Sequence, residues 1–453
     1  MGTSIIGESA NFYPLGYNID GTMTSPAALL RVIEEEYIQY HIWNAVRIVT
    51  QHLNAKSLYW HVKAIVRDAL EPFFVGAGTL FHDQVQGPHW IQVDPRLHDK
   101  QDDMIAQAVN FVDAFQDRGI SRDEIIINIP ASRDGIYACR KLTSGQGFKV
   151  NLSLVSSLSH AQLCLEAGAS SISIPVRRVL QFHEKRDLKI TVRTRPHPGI
   201  NTIHLIQAYC KLKRAKSVVI CNNLRSLAEI RDVARVDVIA LSEFQLEELR
   251  HSRIAIAEPI PESSPVYAHA SQVEYPTTFL NDFRALRDCM SPGDYEAFCF
   301  VLKEGLTAMI TDMGSIDAAI QKEVQKRMFY TTAPLETLET LRPRLPAIEM
   351  VPAPSPRPLR RRRMSKVSLR ESTPEPSEPT EKLRTESKDP QEMIHDSMQR
   401  VQSWFQSQSQ ILPDDMDKPD QDQDQDTATT NRLTDPWDTL EPADGDFEDF
   451  EDF

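Results

Sequence analysis

The stretch Glu124–Leu154 constrains the fold more than any other part of this chain. Ile125–Ile129 is an apolar, β-branched run of the length of a strand buried on both faces. Pro130-Ala-Ser-Arg-Asp-Gly breaks the run, and Ser132 is placed to cap a helix that carries Ile136, Ala138 and Leu142. Lys149–Leu154 then opens a second strand. A strand, helix and strand in this order form a βαβ unit, and its repetition along a chain gives a parallel sheet wrapped by helices.

The other apolar patterns extend the same reading. Ser4–Glu8 and the segment beginning Asp20-Gly-Thr-Met-Thr-Ser-Pro26 read as the first two strands. Residues 27 to about 81 read as helical, with Leu29, Leu30, Ile33, Ile38 and Ile42 forming an apolar face. Trp90–Leu97 holds the third strand, and Asp102–Arg118 is an amphipathic helix. Further along, a helix over Gln207–Leu212 precedes strands over Ser217–Cys221 and Val236–Leu241. With 453 residues and 41% hydrophobic content, the chain is long enough for one large barrel and an extension.

Composition excludes several classes. No apolar run reaches the length of about 18 residues needed for a transmembrane helix, and no charged segment leads an apolar one as in a secretory signal. The cysteines at 139, 164, 210, 221, 289 and 299 form no CxxC pair and read as buried thiols of a reducing compartment, so a cytoplasmic location is expected. A net charge of −14 argues against general nucleic-acid affinity. No metal-ligand spacing stands out.

The strand ends carry a resemblance. Asn128-Ile129-Pro130 followed by Gly135-Ile136, Asp94-Pro-Arg96-Leu97, Val150-Asn-Leu-Ser153, and Ile172-Ser173 with Arg178 together resemble the transaldolase family. These are (β/α)8 barrels that move a dihydroxyacetone unit between sugar phosphates through a lysine Schiff base. The resemblance covers roughly residues 3–330, including Asp20, Thr24 and Pro26, His197-Pro198-Gly199, Asn222-Asn-Leu-Arg225, and closing helices from Phe283-Arg to about Arg327. It implies a (β/α)8 barrel over residues 1–332.

It also implies which side chains matter. Asn128 stands at the imine-forming lysine, Gln92 at the acid–base glutamate, and Glu8 at a catalytic aspartate. An amide forms no imine and is no base near neutral pH, so three chemical positions are altered. Ser153 keeps the hydroxyl of a threonine that holds a water in the family. Ser25, Asn151, Ser173, Arg178, Asn223 and Arg225 fall at substrate-binding positions, the two arginines as a phosphate clamp. The alternative is that the arginines pair with local carboxylates. Lys149 shares the inward parity of Asn151 and Ser153 but lies nearer the strand's N-terminal end. Lys189 and Lys216 are no better placed. No cofactor is implied.

Residues 333–453 are rich in Pro, Ser, Glu, Arg and Gln, and read as a disordered tail that the family does not share. Arg360–Arg363 lies in a basic cluster that reads as a nuclear import signal, a basophilic-kinase site at Ser365, or a solvated charge run. Ile394, Met398, Val401 and Phe405 give a short amphipathic helix near 391–406, and Asp446–Phe453 alternates acids with aromatics, so a protein partner is expected there. Three functions compete: a sugar-phosphate binder without Schiff-base transfer, a transaldolase-type enzyme with a rearranged site, and a scaffold acting through its tail.

Overall fold

The computed structural model describes residues 3–8, 19–53, 55–85, 87–187, 197–253, 255, 257–273, 287 and 289–332. All belong to the first of two units, Met1–Ser355, and the second, Pro356–Phe453, lies wholly outside the described residues. The tail with its basic cluster, amphipathic stripe and acidic end is therefore outside them, as are Lys189 and Phe283-Arg284.

Eight strands form a closed barrel in sequence order: β1 (Ser4–Gly7), β2 (Gly21–Thr24), β3 (His89–Gln92), β4 (Ile125–Pro130), β5 (Lys149–Ser153), β6 (Ser171–Pro175), β7 (Val218–Asn222) and β8 (Val238–Leu241). Every neighbouring pair is parallel, and β8 closes on β1. The expected (β/α)8 barrel is the fold. The helices between strands are α1 (Pro26–Arg31), α2 (Glu36–Thr50), α3 (Ala55–Trp60), α4 (Val62–Gln84), α5 (Gln101–Gln116), α6 (Arg133–Gln146), α7 (Leu158–Glu166), α8 (Val176–Arg186), α9 (Pro198–Lys213) and α10 (Leu227–Val233). After β8 come α11 (Glu243–His251), α12 (Pro265–Gln272) and a long helix, Pro292–Thr332.

The central βαβ unit forms for the reasons its sequence gives. All six residues of β4 are buried, as a strand covered on both faces must be. Ser132 Oγ accepts the Gly135 N–H at 3.0 Å and caps α6. At the other end Gly147 takes a left-handed conformation (φ 65°), and the Phe148 N–H returns to the Leu142 carbonyl at 3.1 Å. Pro175 is the last residue of β6, where its missing N–H breaks no ladder.

Several boundaries shift from expectation: β8 starts at Val238 rather than Val236, and β7 runs Val218–Asn222 rather than Ser217–Cys221. Two of the shifts have a visible cause. Helix α9 begins at Pro198 rather than Gln207, because the His197 ring caps it, Nδ1 accepting the Ile200 N–H at 3.3 Å. Strand β5 stops at Ser153, since Leu154 turns to φ 65° beneath the long helix, with its side-chain tip against Gly305.

Alternation sends every second strand residue inward. The lower layer of the interior is apolar: Ile6, Met23, Trp90, Ile126, Ile220, Val238 and Ala240 form one buried cluster. Moving two residues toward the C-terminal end changes the character of the layer. Ile6 gives way to Glu8, Met23 to Ser25, Trp90 to Gln92, Ile126 to Asn128, Ile220 to Asn222 and Ala240 to Ser242. The barrel thus has an apolar floor and a polar upper ring, the end at which such barrels do chemistry. The long helix is tied to this end at three places. Arg96 Nη1 donates to Asp317 at 2.6 Å, Ser159 Oγ to Asp294 at 2.9 Å, and Arg178 Nη1 to the Glu304 carbonyl at 2.9 Å.

Candidate functional site

Half of the polar ring is a continuous chain of neutral groups. Register sets Gln92 beside Asn128 and Asn128 beside Asn151. Gln92 Nε2 donates to the backbone carbonyls of Val93 (3.0 Å) and Asn128 (3.2 Å). Two carbonyls can only face the amide nitrogen, so Gln92 Oε1 must face Asn128, whose Nδ2 donates to it at 2.6 Å. That leaves Asn128 Oδ1 toward β5, where Asn151 Nδ2 donates to it at 2.6 Å and to Ser173 Oγ at 2.8 Å. Two backbone carbonyls therefore orient three amides in succession. All four side chains are buried: Gln92, Asn128, Asn151 and Ser173 are 2%, 4%, 0% and 1% exposed. Ser153, also buried, donates to the Ile129 carbonyl at 3.3 Å.

Burial makes this chain energetically consequential. Truncating Asn128 to alanine removes the donor to Gln92 and the acceptor of Asn151 together, leaving both unsatisfied. The expected loss is about 2–4 kcal/mol of folding free energy, read from urea denaturation. A loss well under about 1 kcal/mol would mean that the neighbours re-pair without Asn128.

The opposite side of the ring is charged. Glu8 reaches the mouth: Ser25 Oγ donates to its Oε1 at 2.7 Å, while Ser25 also caps α1 by accepting the Ala28 N–H at 3.2 Å. Arg31 Nη2 holds the Glu8 carbonyl at 2.7 Å. On β7 the inward residue is Asn222, whose Oδ1 is buried with no hydrogen-bond partner. The next residue, Asn223, is exposed with φ 56°, and its carbonyl accepts the Arg177 N–H at 3.2 Å. Sequence reasoning singled out Asn223 and passed over Asn222. Counting alternate positions from Ile220 would have found it.

Both arginines lie just beyond strand ends. Arg178, in the first turn of α8, is half-buried and donates to the Glu304 carbonyl. Burial works against its charge, the Glu304 carboxylate partly restores it, and Arg177 opposes it again. Arg225 follows β7, its backbone N–H on Glu229 Oε2 at 2.7 Å and its Nε 3.7 Å from Glu229 Oε1. The local-carboxylate pairing expected as the alternative is therefore present for Arg225, while Arg178 meets a backbone carbonyl.

Among the lysines whose side chains are described, none is buried. Lys149 sits at the opposite end of β5, donating to the Asp123 carbonyl at 2.6 Å, and Lys216 is exposed ahead of β7. Nor do the described residues include three or more His, Cys, Asp or Glu grouped to hold a metal ion, or a helix long and apolar enough to cross a membrane. The ring can bind hydroxyl groups and, through its arginines, an anion; its amide arc carries no group that titrates near neutral pH.

Residues 15–280 match the profile of the transaldolase/fructose-6-phosphate aldolase family. The chain belongs to that family. Similar proteins include the transaldolases of Bos taurus and Homo sapiens, each 26% identical over 60% of this chain and 78% of the relative. The transaldolase of Pseudoalteromonas atlantica is 31% identical over 52% of this chain and 71% of its own length. The family match falls on the barrel.

Proposed function

We propose that this member of the transaldolase/fructose-6-phosphate aldolase family binds a sugar phosphate of carbohydrate metabolism at the polar end of its barrel and does not perform Schiff-base transfer. The observation that carries the reading is the state of position 128. By the resemblance it is the place of the imine-forming lysine, and here it holds an amide fixed on both sides by Gln92 and Asn151. An imine needs a primary amine, and none of the lysines whose side chains are described is buried inside the barrel. Gln92, at the acid–base position, spends both amide hydrogens on backbone carbonyls and has no proton to exchange. The groups that remain suit binding. Ser25, Ser153 and Glu8 offer contacts for hydroxyls, and Arg178 and Arg225 offer guanidiniums for a phosphate.

The test is borohydride trapping with fructose 6-phosphate, read by intact mass and peptide mapping, beside thermal-shift titration of the same ligand. The expected result is no reduced three-carbon adduct and a stabilising shift that Arg178→Ala or Arg225→Ala abolishes. An adduct on any lysine overturns the reading and names the replacement nucleophile. Neither adduct nor shift moves the function to scaffolding through the tail.

A further inference from the structure

The resemblance gives Arg225 a role but says nothing of what holds it. The residue that does so lies four positions on, in the first turn of α10. Glu229 is 4% exposed, with one carboxylate oxygen hydrogen-bonded and the other, Oε1, buried without a hydrogen-bond partner but within ion-pair distance of two side chains. Oε2 accepts the Arg225 backbone N–H at 2.7 Å; Oε1 lies 3.7 Å from Arg225 Nε and 3.5 Å from His197 Nε2. The His197 tautomer follows from the cap of α9. Nδ1 accepts the Ile200 N–H, so it carries no proton, and in the neutral ring the proton sits on Nε2, toward Glu229. His197 has a side-chain exposure of 2%, and Nε2 makes no hydrogen bond, Glu229 Oε1 at 3.5 Å being its ion-pair contact.

We propose that Glu229 is a positioning residue for Arg225, with His197 as the counterweight that keeps the buried carboxylate in place. The inference rests on the reading of Arg225 as a phosphate-binding group. A carboxylate taken out of water is costly unless it is charge-paired and hydrogen-bonded. Here burial alone would raise the Glu229 pKa, but His197 and the Arg225 N–H and guanidinium outweigh it and hold it below the usual range. The geometry also has a direction. Glu229 meets Arg225 from the backbone and the Nε edge, so the carboxylate does not take up the Nη pair, the fork that grips a phosphate in bidentate fashion. A flexible arginine must be ordered each time an anion binds, whereas one clamped at its base presents its fork already oriented.

The experiment uses the full chain and two readouts. The first is the rate at which phenylglyoxal modifies Arg225 in the ligand-free protein, followed by peptide mapping. The second is the affinity for fructose 6-phosphate by calorimetry. In Glu229→Gln the Arg225 modification rate should rise several-fold, and the affinity should fall about tenfold. His197→Asn, which retains a capping side chain but loses the Nε2 donor, should shift both in the same direction by less. An unchanged modification rate in a folded Glu229→Gln overturns the inference, since a merely structural Glu229 would not govern Arg225 reactivity. Should Glu229→Gln fail to fold, His197→Asn decides by the same rate. Should the wild-type protein bind no fructose 6-phosphate, the sugar-phosphate reading fails, and the modification rate alone decides whether Glu229 positions Arg225.

Discussion

Gly135→Ala should destabilise this protein by roughly 3 kcal/mol or more, while Gly145→Ala in the same helix should stabilise it by about 0.5–1 kcal/mol. The two glycines share α6 and differ in what surrounds them. A Cβ on Gly135 would lie 2.0 Å from the Pro130 carbonyl oxygen and 3.1 Å from an Ile129 methyl. The first of these is backbone of the central strand, which cannot swing aside as a side chain can. Relief would require α6 to lift from β4, and with it Ser132, whose hydroxyl caps the helix through the Gly135 N–H. Gly145 is exposed, with nothing within 4 Å of its added Cβ, so only the helix propensity of alanine over glycine remains. Urea denaturation of both variants gives the pair of values. Equal effects would show that α6 does not press on β4 as described.

The contact explains why a glycine follows the polar loop after β4, and it illustrates which features could be read from the chain. Ile125–Ile129 announced a strand covered on both faces, Ser132 announced a cap, and repetition of the βαβ unit announced the barrel. Each depends on residues close in sequence. Parity likewise placed Asn151 and Ser153 on one face. What could not be read is register between strands. Gln92, Asn128 and Asn151 are separately visible as polar residues near strand ends. Their union into one hydrogen-bonded chain depends on how β3, β4 and β5 slide against one another. The contact between Arg178 and Glu304 spans 126 positions and needs the long helix to cross the barrel's end. The start of α9 was hidden for a different reason: its cap is a histidine, outside the Ser, Thr, Asp and Asn set that marks most helix starts. Pro198 at its first position was the signal available.

Acid should unfold this barrel well above the pH at which ordinary carboxylates titrate, because two fully buried histidines are held neutral. His89, at the start of β3, faces outward between the barrel and its helices, its Nδ1 2.8 Å from Thr22 Oγ1 and its Nε2 3.0 Å from Thr24 Oγ1. Burial, with a smaller push from His82, lowers its pKa to about 3. His160, in α7, donates from Nε2 to the Ala131 carbonyl at 2.9 Å; burial outweighs that bond and lowers it to about 4. In the unfolded chain both titrate near 6.5. Above that pH neither state binds a proton and the stability is full. Between 6.5 and 4 the unfolded chain binds protons at His89 and His160 that the folded one refuses, so stability falls as pH falls. His41, lowered to about 4 by burial and by Arg118, adds to the loss in the same sense. Each histidine contributes about 1.4 kcal/mol per pH unit, so moving from pH 6.5 to 4.5 removes on the order of 5 kcal/mol, comparable with the whole stability of many domains. The raised carboxyls of Glu71 and Asp134 act in the opposite sense but are partly solvated, and they soften the slope without reversing it. Chemical denaturation across pH 4.5–7.5 measures the slope, and His89→Gln isolates one proton's share. That variant should start less stable and show a curve flatter by about 1.4 kcal/mol per pH unit. Parallel curves for the two proteins would mean that His89 takes up its proton in the folded barrel as readily as in the unfolded chain.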